Sequence, residues 1–241
     1  MSNINNIKNA NNMNYMNNVG GAGGVGSIGC VGGASKTSIK DNLISFYNAE
    51  AGLRDASVKS DWKIRIRDEF LGLAKREEKR TLLEIGAGAG QDSLFFMNAG
   101  LRVTAADLSA EMVKKCREKA IDAHELDYYN ITSLGKTFDC VWAINTLLHV
   151  PKGDLPGVLE GIGAVLNEGG LFYMGLYGGD DVETEYVKSD VSDTPRFYAL
   201  HSEKFLRSAL EKIFSIIKFE TIDVDKNTEM RIFHSITLRK A

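Results

Sequence analysis

The chain has 241 residues, of which 44% are apolar and 25% charged, and its formal net charge is −3. These values are ordinary for a globular protein with one substantial core, and they leave no overall basic footprint for nucleic acid. No apolar run approaches the length of a membrane span and no signal or transit peptide is recognisable, so we expect a cytoplasmic protein. The three cysteines, Cys30, Cys116 and Cys140, match no zinc or disulfide spacing.

The first 38 residues differ in composition from the rest of the chain. Asparagine dominates residues 3–18, and glycine with other small residues dominates residues 19–34. Neither stretch can bury enough apolar surface to offset the entropy of ordering it. We therefore predict a disordered tail over residues 1–38, followed by one domain over residues 39–241. The tail spells G-x-G-x-x-G at residues 24–29, but no strand precedes this pattern and no amphipathic helix follows it, so we assign it no ligand.

The domain is predicted to begin with one or two helices between residues 39 and 78. Two sets of apolar residues have the spacing of a helix face: Leu43, Phe46 and Tyr47, then Trp62, Ile66, Phe70 and Leu73.

Residues 81–90 read TLLEIGAGAG, an apolar strand pattern followed by a loop with glycine at every second position. Gly86, Gly88 and Gly90 permit positive φ and leave backbone N–H groups accessible to a ligand. A helix beginning at Gln91 would point its positive end at the same place, which completes a strand–loop–helix cradle for a cofactor. The dinucleotide site of NAD enzymes requires G-x-G-x-x-G/A, and Gln91 does not fit its last position.

Strands and helices alternate from this loop onward, which is typical of a parallel α/β sheet. Two final strands have a connection too short for a crossover helix, so they must be antiparallel. We predict an α/β, doubly wound fold with a seven-stranded, mostly parallel sheet and a C-terminal antiparallel hairpin, with an irregular segment over residues 177–199. The predicted strands are Leu82–Ile85, Arg102–Ala106, Ala123–Leu126, Phe138–Ile144, Leu171–Leu176, Phe214–Ile222 and Arg231–Leu238.

Two acidic residues follow strands of this predicted sheet, at the edge where open α/β sheets bind ligands. Asp107 ends the second strand about twenty residues beyond the glycine loop, and Asp127 follows the third. A carboxylate at Asp107 can accept hydrogen bonds from both hydroxyls of a ribose. The alternative is that Asp107 only caps the helix that begins near Ser109.

The glycine loop, the acidic strand ends and the order of strands resemble the class I S-adenosylmethionine (SAM) methyltransferases over about residues 41–241. The resemblance implies SAM as the cofactor and N-terminal helices that cover it as a lid. It also implies the cofactor-binding residues. They are Glu84, Gly86, Ala87, Gly88 and Gly90 in the loop, Asp107 at the ribose, Leu108, Asp127 and Tyr128 at the adenine, and Ala143 and Asn145 beneath the methionine half.

The candidates for the acceptor side are less constrained by pattern. His149 follows the fourth strand in a run similar to the family's fourth motif, and it could take a proton near neutral pH or be structural. Tyr47, Trp62 and Tyr177 could line the substrate site or belong to the core and its rim. Arg196 could bind a carboxylate or phosphate, or it could pair with Asp190 or Asp193.

The function implied by the resemblance is direct transfer of a methyl group from SAM to a small organic molecule. The motifs that amino-group and cytosine methyltransferases need near the fourth strand are missing, and no convincing acid cluster for a metal is visible. We expect no nucleic-acid partner and no membrane. Two alternatives stay open: a catalytically silent SAM-binding regulatory or partner subunit, and an NAD-dependent oxidoreductase.

We predict that the tail is dispensable. Deleting residues 1–38 should leave the melting temperature and the SAM affinity nearly unchanged, because the tail cannot form a core and its glycine motif lacks a strand and a helix. Thermal unfolding and calorimetric titration of the shortened chain measure both quantities. A large loss of either would show that the tail belongs to the domain.

Overall fold

The computed structural model describes residues 36–188, 192–224 and 231–241. The predicted tail lies outside the described residues up to position 35, and the first helix begins at Lys36, before the predicted domain boundary. The helices are α1 (Lys36–Asp55), α2 (Asp61–Arg76), α3 (Gln91–Asn98), α4 (Ala110–Glu118), α5 (Leu155–Val165) and α6 (Glu203–Leu210). The strands are β1 (Thr81–Ile85), β2 (Arg102–Asp107), β3 (Asp122–Glu125), β4 (Phe138–Ile144), β5 (Leu166–Gly178), β6 (Val182–Lys188), β7 (Ser192–Leu200), β8 (Phe214–Asp223) and β9 (Ile232–Lys240).

Seven strands form the main sheet in the order β3-β2-β1-β4-β5-β9-β8. The five strands from β3 to β5 are parallel, whereas β9 runs antiparallel to both β5 and β8. The predicted fold class is therefore confirmed, including its C-terminal antiparallel hairpin. The chain leaves β1 toward β2 on one side and later returns to β4 on the other. The carboxyl end of β1 is thus the point of reversal, where ligands of such sheets bind.

The sequence predicted an irregular segment over residues 177–199, but the described part of this segment contains strands. Strand β5 continues to Gly178, and β6 and β7 form a separate antiparallel pair. The run V-E-T-E-Y in β6 alternates uncharged β-forming residues with glutamates, which is the period-two pattern of a half-buried strand. The acidic residues and Pro195 hid this signal by making the segment look like a loop.

Aromatic side chains between the sheet and helices α2 and α3 form the centre of the core. Trp142 in β4 stacks on Tyr173 in β5 with ring centroids 4.1 Å apart, and both are buried. Phe70 and Phe96 each lie 5.2 Å from the Trp142 ring. This packing fixes β4 and β5 beside β1, and with them the loops that follow these strands.

Helix α1 lies outside this core and packs on β7 and α4. Ile39 and Leu43 are buried against Phe197 and Ala199 of β7. Polar side chains of α1 also reach the segments that follow β2, β3 and β4, so the helix crosses the carboxyl edge of the sheet. Within the described part of the chain, no helix has both the length and the apolar character needed to cross a membrane.

Candidate active site

The glycine loop follows β1 with all three glycines in the left-handed region, at φ of 70°, 54° and 79° for Gly86, Gly88 and Gly90. A Cβ at Gly86 would collide with the side chain of Thr146, and one at Gly90 would lie 2.8 Å from Cys116 Sγ. At Gly88 no atom lies within 4 Å of the added Cβ. The two outer glycines therefore let the loop pack closely on the protein, and the middle one faces open space.

Asp107 ties this loop to the end of β2. Its Oδ2 accepts a hydrogen bond from the Gly88 N–H at 2.7 Å, and its Oδ1 accepts from the Ser109 N–H at 2.9 Å. Burial raises the pKa of Asp107, and the two hydrogen bonds oppose that shift. The cap of α4 is Ser109, whose hydroxyl oxygen accepts from the Met112 N–H. Each carboxylate oxygen of Asp107 keeps a lone pair for a further donor.

Glu84 is buried at the end of β1, and its described hydrogen bond points to α3 rather than to the glycine loop. Its Oε2 accepts from the Ser93 hydroxyl at the start of α3. Burial and the neighbouring Asp92 raise the pKa of Glu84 well above its usual range. Asp92 itself pairs with Lys59 at 3.0 Å and with Arg67 at 3.2 Å. Glu84 therefore belongs to a buried polar group that anchors the first turn of α3.

A small pocket lies between the end of β3 and helix α1. Asp127 at its edge is engaged on both oxygens: Oδ2 pairs with Lys40 Nζ at 2.7 Å, and Oδ1 accepts from the Asn130 side chain at 2.8 Å and the Tyr129 N–H at 3.1 Å. The pocket thus contains the three residues predicted at the adenine, with part of α1 covering them. Its lining is Lys36, Ile39, Lys40, Leu43, Leu108, Asp127, Tyr128, Tyr129 and Pro151.

Asn145 follows β4 with an unusual backbone and an unsatisfied oxygen. Its φ is 55°, a left-handed conformation that is uncommon outside glycine, and its N–H donates to the Gly175 carbonyl at 2.7 Å. The side-chain Oδ1 is buried and has no hydrogen-bond partner among the described residues. A buried acceptor without a donor is costly, so this atom marks a place where a ligand donor would bind favourably. Ala143, two residues earlier, is fully buried in the sheet.

His149 and Tyr47 form a buried pair although they lie 102 residues apart in the chain. His149 Nδ1 is 2.7 Å from the Phe197 carbonyl oxygen, which requires a proton on Nδ1. Nε2 must then accept from the Tyr47 hydroxyl, also at 2.7 Å. Burial lowers the pKa of His149 to about 3, and the nearby charges of Arg196 and Arg54 favour the neutral ring further. Both ring nitrogens are therefore engaged, and the ring is neutral at ordinary pH.

Arg196 in β7 lies beside this pair, between two aromatic rings. Its guanidinium carbon is 4.1 Å from the centroid of Phe46 and 5.3 Å from that of Tyr198. Within the described part of the chain, its Nε is buried without a hydrogen-bond partner. Of the two carboxylates proposed as partners, Asp193 is exposed and makes no ion pair with Arg196 within the described ranges, and Asp190 lies outside them.

The structure brings only part of the predicted acceptor site together. Tyr47, His149 and Arg196 meet, whereas Trp62 and Tyr177 both pack on Phe233, with centroid distances of 4.7 and 5.5 Å. Tyr198 belongs to the first group, because its ring centroid lies 5.0 Å from that of His149 and 5.3 Å from the guanidinium carbon of Arg196. Tyr198 was not predicted as a site residue. Once β7 is recognised as a strand, it shares a face with Arg196 two positions earlier.

Comparisons with known proteins bear on this arrangement. Residues 82–170 match the family model of a methyltransferase domain. No match is found among curated proteins. Among solved structures, the chain is similar to the Burkholderia thailandensis 1,6-didemethyltoxoflavin-N1-methyltransferase with bound 1,6-didemethyltoxoflavin and S-adenosylhomocysteine (SAH). The identity is 19% over 85% of this chain and 88% of that chain, with a TM-score of 0.63.

Two further structures have the same fold. DhpI in complex with SAM and HEP is 20% identical over 86% of this chain and all 100% of its own, with a TM-score of 0.67. The magnesium protoporphyrin IX methyltransferase of Synechocystis with bound SAM is 14% identical over 87% of this chain and 100% of its own, with a TM-score of 0.63. At such identities the likeness establishes the fold, and the acceptors named belong to those proteins.

Residues 82–170 thus match a methyltransferase domain, and the described fold is that of the class I SAM-dependent methyltransferases. The match to a methyltransferase domain speaks against the alternative of an NAD-dependent oxidoreductase.

The buried, neutral His149 predicts an acid-sensitive contribution to stability. Its pKa is about 3 in the fold against 6.5 in an unfolded chain. Below pH 6.5 the unfolded state binds a proton that the native state does not, so stability falls as pH falls, by about 1.4 kcal/mol per pH unit. The variant His149→Asn lacks this slope, whereas His201 and His234 titrate equally in both proteins.

Denaturant unfolding of wild type and His149→Asn between about pH 7 and pH 5 tests this, and their difference in unfolding free energy should shrink by about 2 kcal/mol toward pH 5. A constant difference across that range would mean that His149 takes up a proton within the folded protein.

Proposed function

We propose that this chain is a SAM-dependent methyltransferase that acts on a small organic acceptor, which binds between helix α1 and strand β7 beside the end of β4. The main support is the pair formed by Tyr47 and His149, because it joins α1 to the end of β4 under the cover of β7. Rings of Phe46, Tyr47 and Tyr198 surround this place. A site covered by segments of the chain itself suits a small molecule better than a protein or nucleic-acid surface.

The residues around the glycine loop fit SAM. The N–H groups of the loop and the open space at Gly88 accommodate a ligand against the backbone. The free lone pairs of Asp107 suit the ribose hydroxyls, and the pocket at Leu108, Asp127 and Tyr128 suits the adenine. The unsatisfied Oδ1 of Asn145 suits the ammonium group of the methionine half. When the adenine binds, Lys40 would either keep its ion pair with Asp127 beside the adenine or give up this ion pair.

When bound, SAM supplies an electrophilic methyl group on a sulfonium, and transfer is a direct displacement. The work left to the chain is to align the acceptor atom and to exclude water. Helix α1 and the β6–β7 pair cover the site, and the buried faces of Phe46 and Tyr198 provide an apolar surrounding. This arrangement favours alignment without requiring a strong base.

Tyr47 is the side chain best placed to contact the acceptor atom. Its O–H donates to His149 Nε2, so its oxygen lone pairs remain available to accept from an acceptor O–H or N–H. His149 then acts as a positioning residue, held in one tautomer by the Phe197 carbonyl. This replaces the expectation that His149 itself takes the proton, since a second cation beside Arg196 and Arg54 is unfavourable in a buried site.

The proposal is tested by following labelled methyl groups from SAM into three separate fractions: small metabolites, total RNA and total protein. Label is expected in the small-metabolite fraction. Tyr47→Phe should lower the turnover number about a hundredfold and leave the KM for SAM nearly unchanged, because it removes orientation of the acceptor and not cofactor binding.

The matched control is Tyr173→Phe, which also removes a buried hydroxyl, here one bonded to Ser235 at 3.1 Å. It should cost similar stability and keep turnover. Label confined to RNA or protein would refute the small acceptor, and equal turnover in Tyr47→Phe and Tyr173→Phe would refute the role of Tyr47.

A further inference from the structure

We propose that the methyl acceptor carries an oxyanion, a carboxylate or a phosphoryl group, which is bound by Arg196. The inference rests on the proposed function and specifies its substrate class. The observation behind it is a cation at the candidate acceptor site that has no ion pair and an unsatisfied Nε among the described residues.

Several other cations near the site are paired. Arg54, whose guanidinium lies 4.8 Å from the Tyr47 ring, is bound by the buried Glu50 at 2.6 Å. Lys40 has Asp127, and Lys59 and Arg67 share Asp92. For Arg196, residues 36–188, 192–224 and 231–241 provide no carboxylate within ion-pair distance. This guanidinium is therefore a charge that a bound ligand can neutralise.

The hydrogen-bond balance of Arg196 leads to the same conclusion. Its Nε is buried and donates to nothing in the described structure. A buried N–H of a charged group costs free energy until an acceptor is present. A guanidinium offers donors in a planar fork that matches the oxygens of carboxylate and phosphate, so an oxyanion satisfies both its charge and its geometry.

The two aromatic rings explain how the cation persists without a ligand. Phe46 and Tyr198 flank the guanidinium at 4.1 and 5.3 Å, and cation–π attraction partly replaces hydration. They also fix its position relative to the proposed contact of the acceptor atom, because Phe46 adjoins Tyr47 in α1 and the Tyr198 ring lies 5.0 Å from His149. The anion and the methylated atom would thus belong to one small molecule.

A different role for Arg196 makes a different prediction. If the guanidinium only joins β7 to α1 by lying on Phe46, its loss would lower the melting temperature and leave anion binding unchanged. The proposal requires a specific change in anion affinity. Arg207 provides a matched control, since its guanidinium also lies on a ring, 4.5 Å from that of Phe219, but is paired with Glu203 at 2.7 Å.

The experiment titrates SAH-saturated protein with inorganic phosphate and, separately, with acetate at constant ionic strength. Wild type, Arg196→Gln, Arg196→Lys and Arg207→Gln are compared by calorimetry. We expect wild type to bind at least one of the two anions, Arg196→Gln to bind it roughly tenfold more weakly or worse, and Arg207→Gln to match wild type. Arg196→Lys should retain part of the affinity because it keeps the charge and loses the fork.

Preference for phosphate over acetate, or the reverse, identifies the phosphoryl or the carboxylate group. No anion binding by wild type, or equal binding by Arg196→Gln, would overturn the proposal. SAH affinity should agree within about twofold across the four proteins. If wild type bound no SAH, the proposed function would fail, and the same anion titrations on the free protein would still decide the role of Arg196.

Discussion

The hydrogen bond from the Gly88 N–H to the Asp107 carboxylate is the contact on which the proposed cofactor site depends. It joins the loop after β1 to the end of β2 at 2.7 Å, and the second oxygen of Asp107 orients the chain toward α4 through Ser109. A carboxylate can make these bonds and still present lone pairs outward. The loop reaches Asp107 only because Gly86 and Gly90 pack where a side chain would collide with Thr146 or Cys116.

Helix α1 closes this site through a few polar contacts whose individual strengths are modest. The Lys40 side chain is 49% exposed, so its ion pair with Asp127 contributes no more than about 1 kcal/mol. Asn48 accepts from the Ser109 hydroxyl, and Tyr47 donates to His149. Each of these contacts ends at a segment that follows a strand of the main sheet. A ligand entering there exchanges one set of hydrogen bonds for another, which keeps the cost of admitting it low.

The sequence predicted those parts of the molecule that rest on local pattern. Short spacings predicted the glycine loop and the acidic residue at position 107, and the structure agrees with the loop conformation. The β6–β7 pair was missed because charged residues occupy one face of β6. The contact of Tyr47 with His149 and the aromatic surround of Arg196 depend on how α1 and β7 pack, which residue spacing does not encode. Glu84 had the expected position in the motif, but its burial among Ser93 and Asp92 follows from the packing of α3.

The role of Asp107 at the nucleoside is tested most directly by an affinity cycle with SAH and its 2′-deoxy analogue, measured by calorimetry on wild type and Asp107→Asn. The cycle separates contact with the ribose from the anchoring of Gly88, which the substitution also disturbs. Wild type should lose roughly tenfold in affinity when the hydroxyl is removed, and Asp107→Asn should bind both ligands within about twofold of each other. An equal loss in both proteins would show that Asp107 does not hold the ribose.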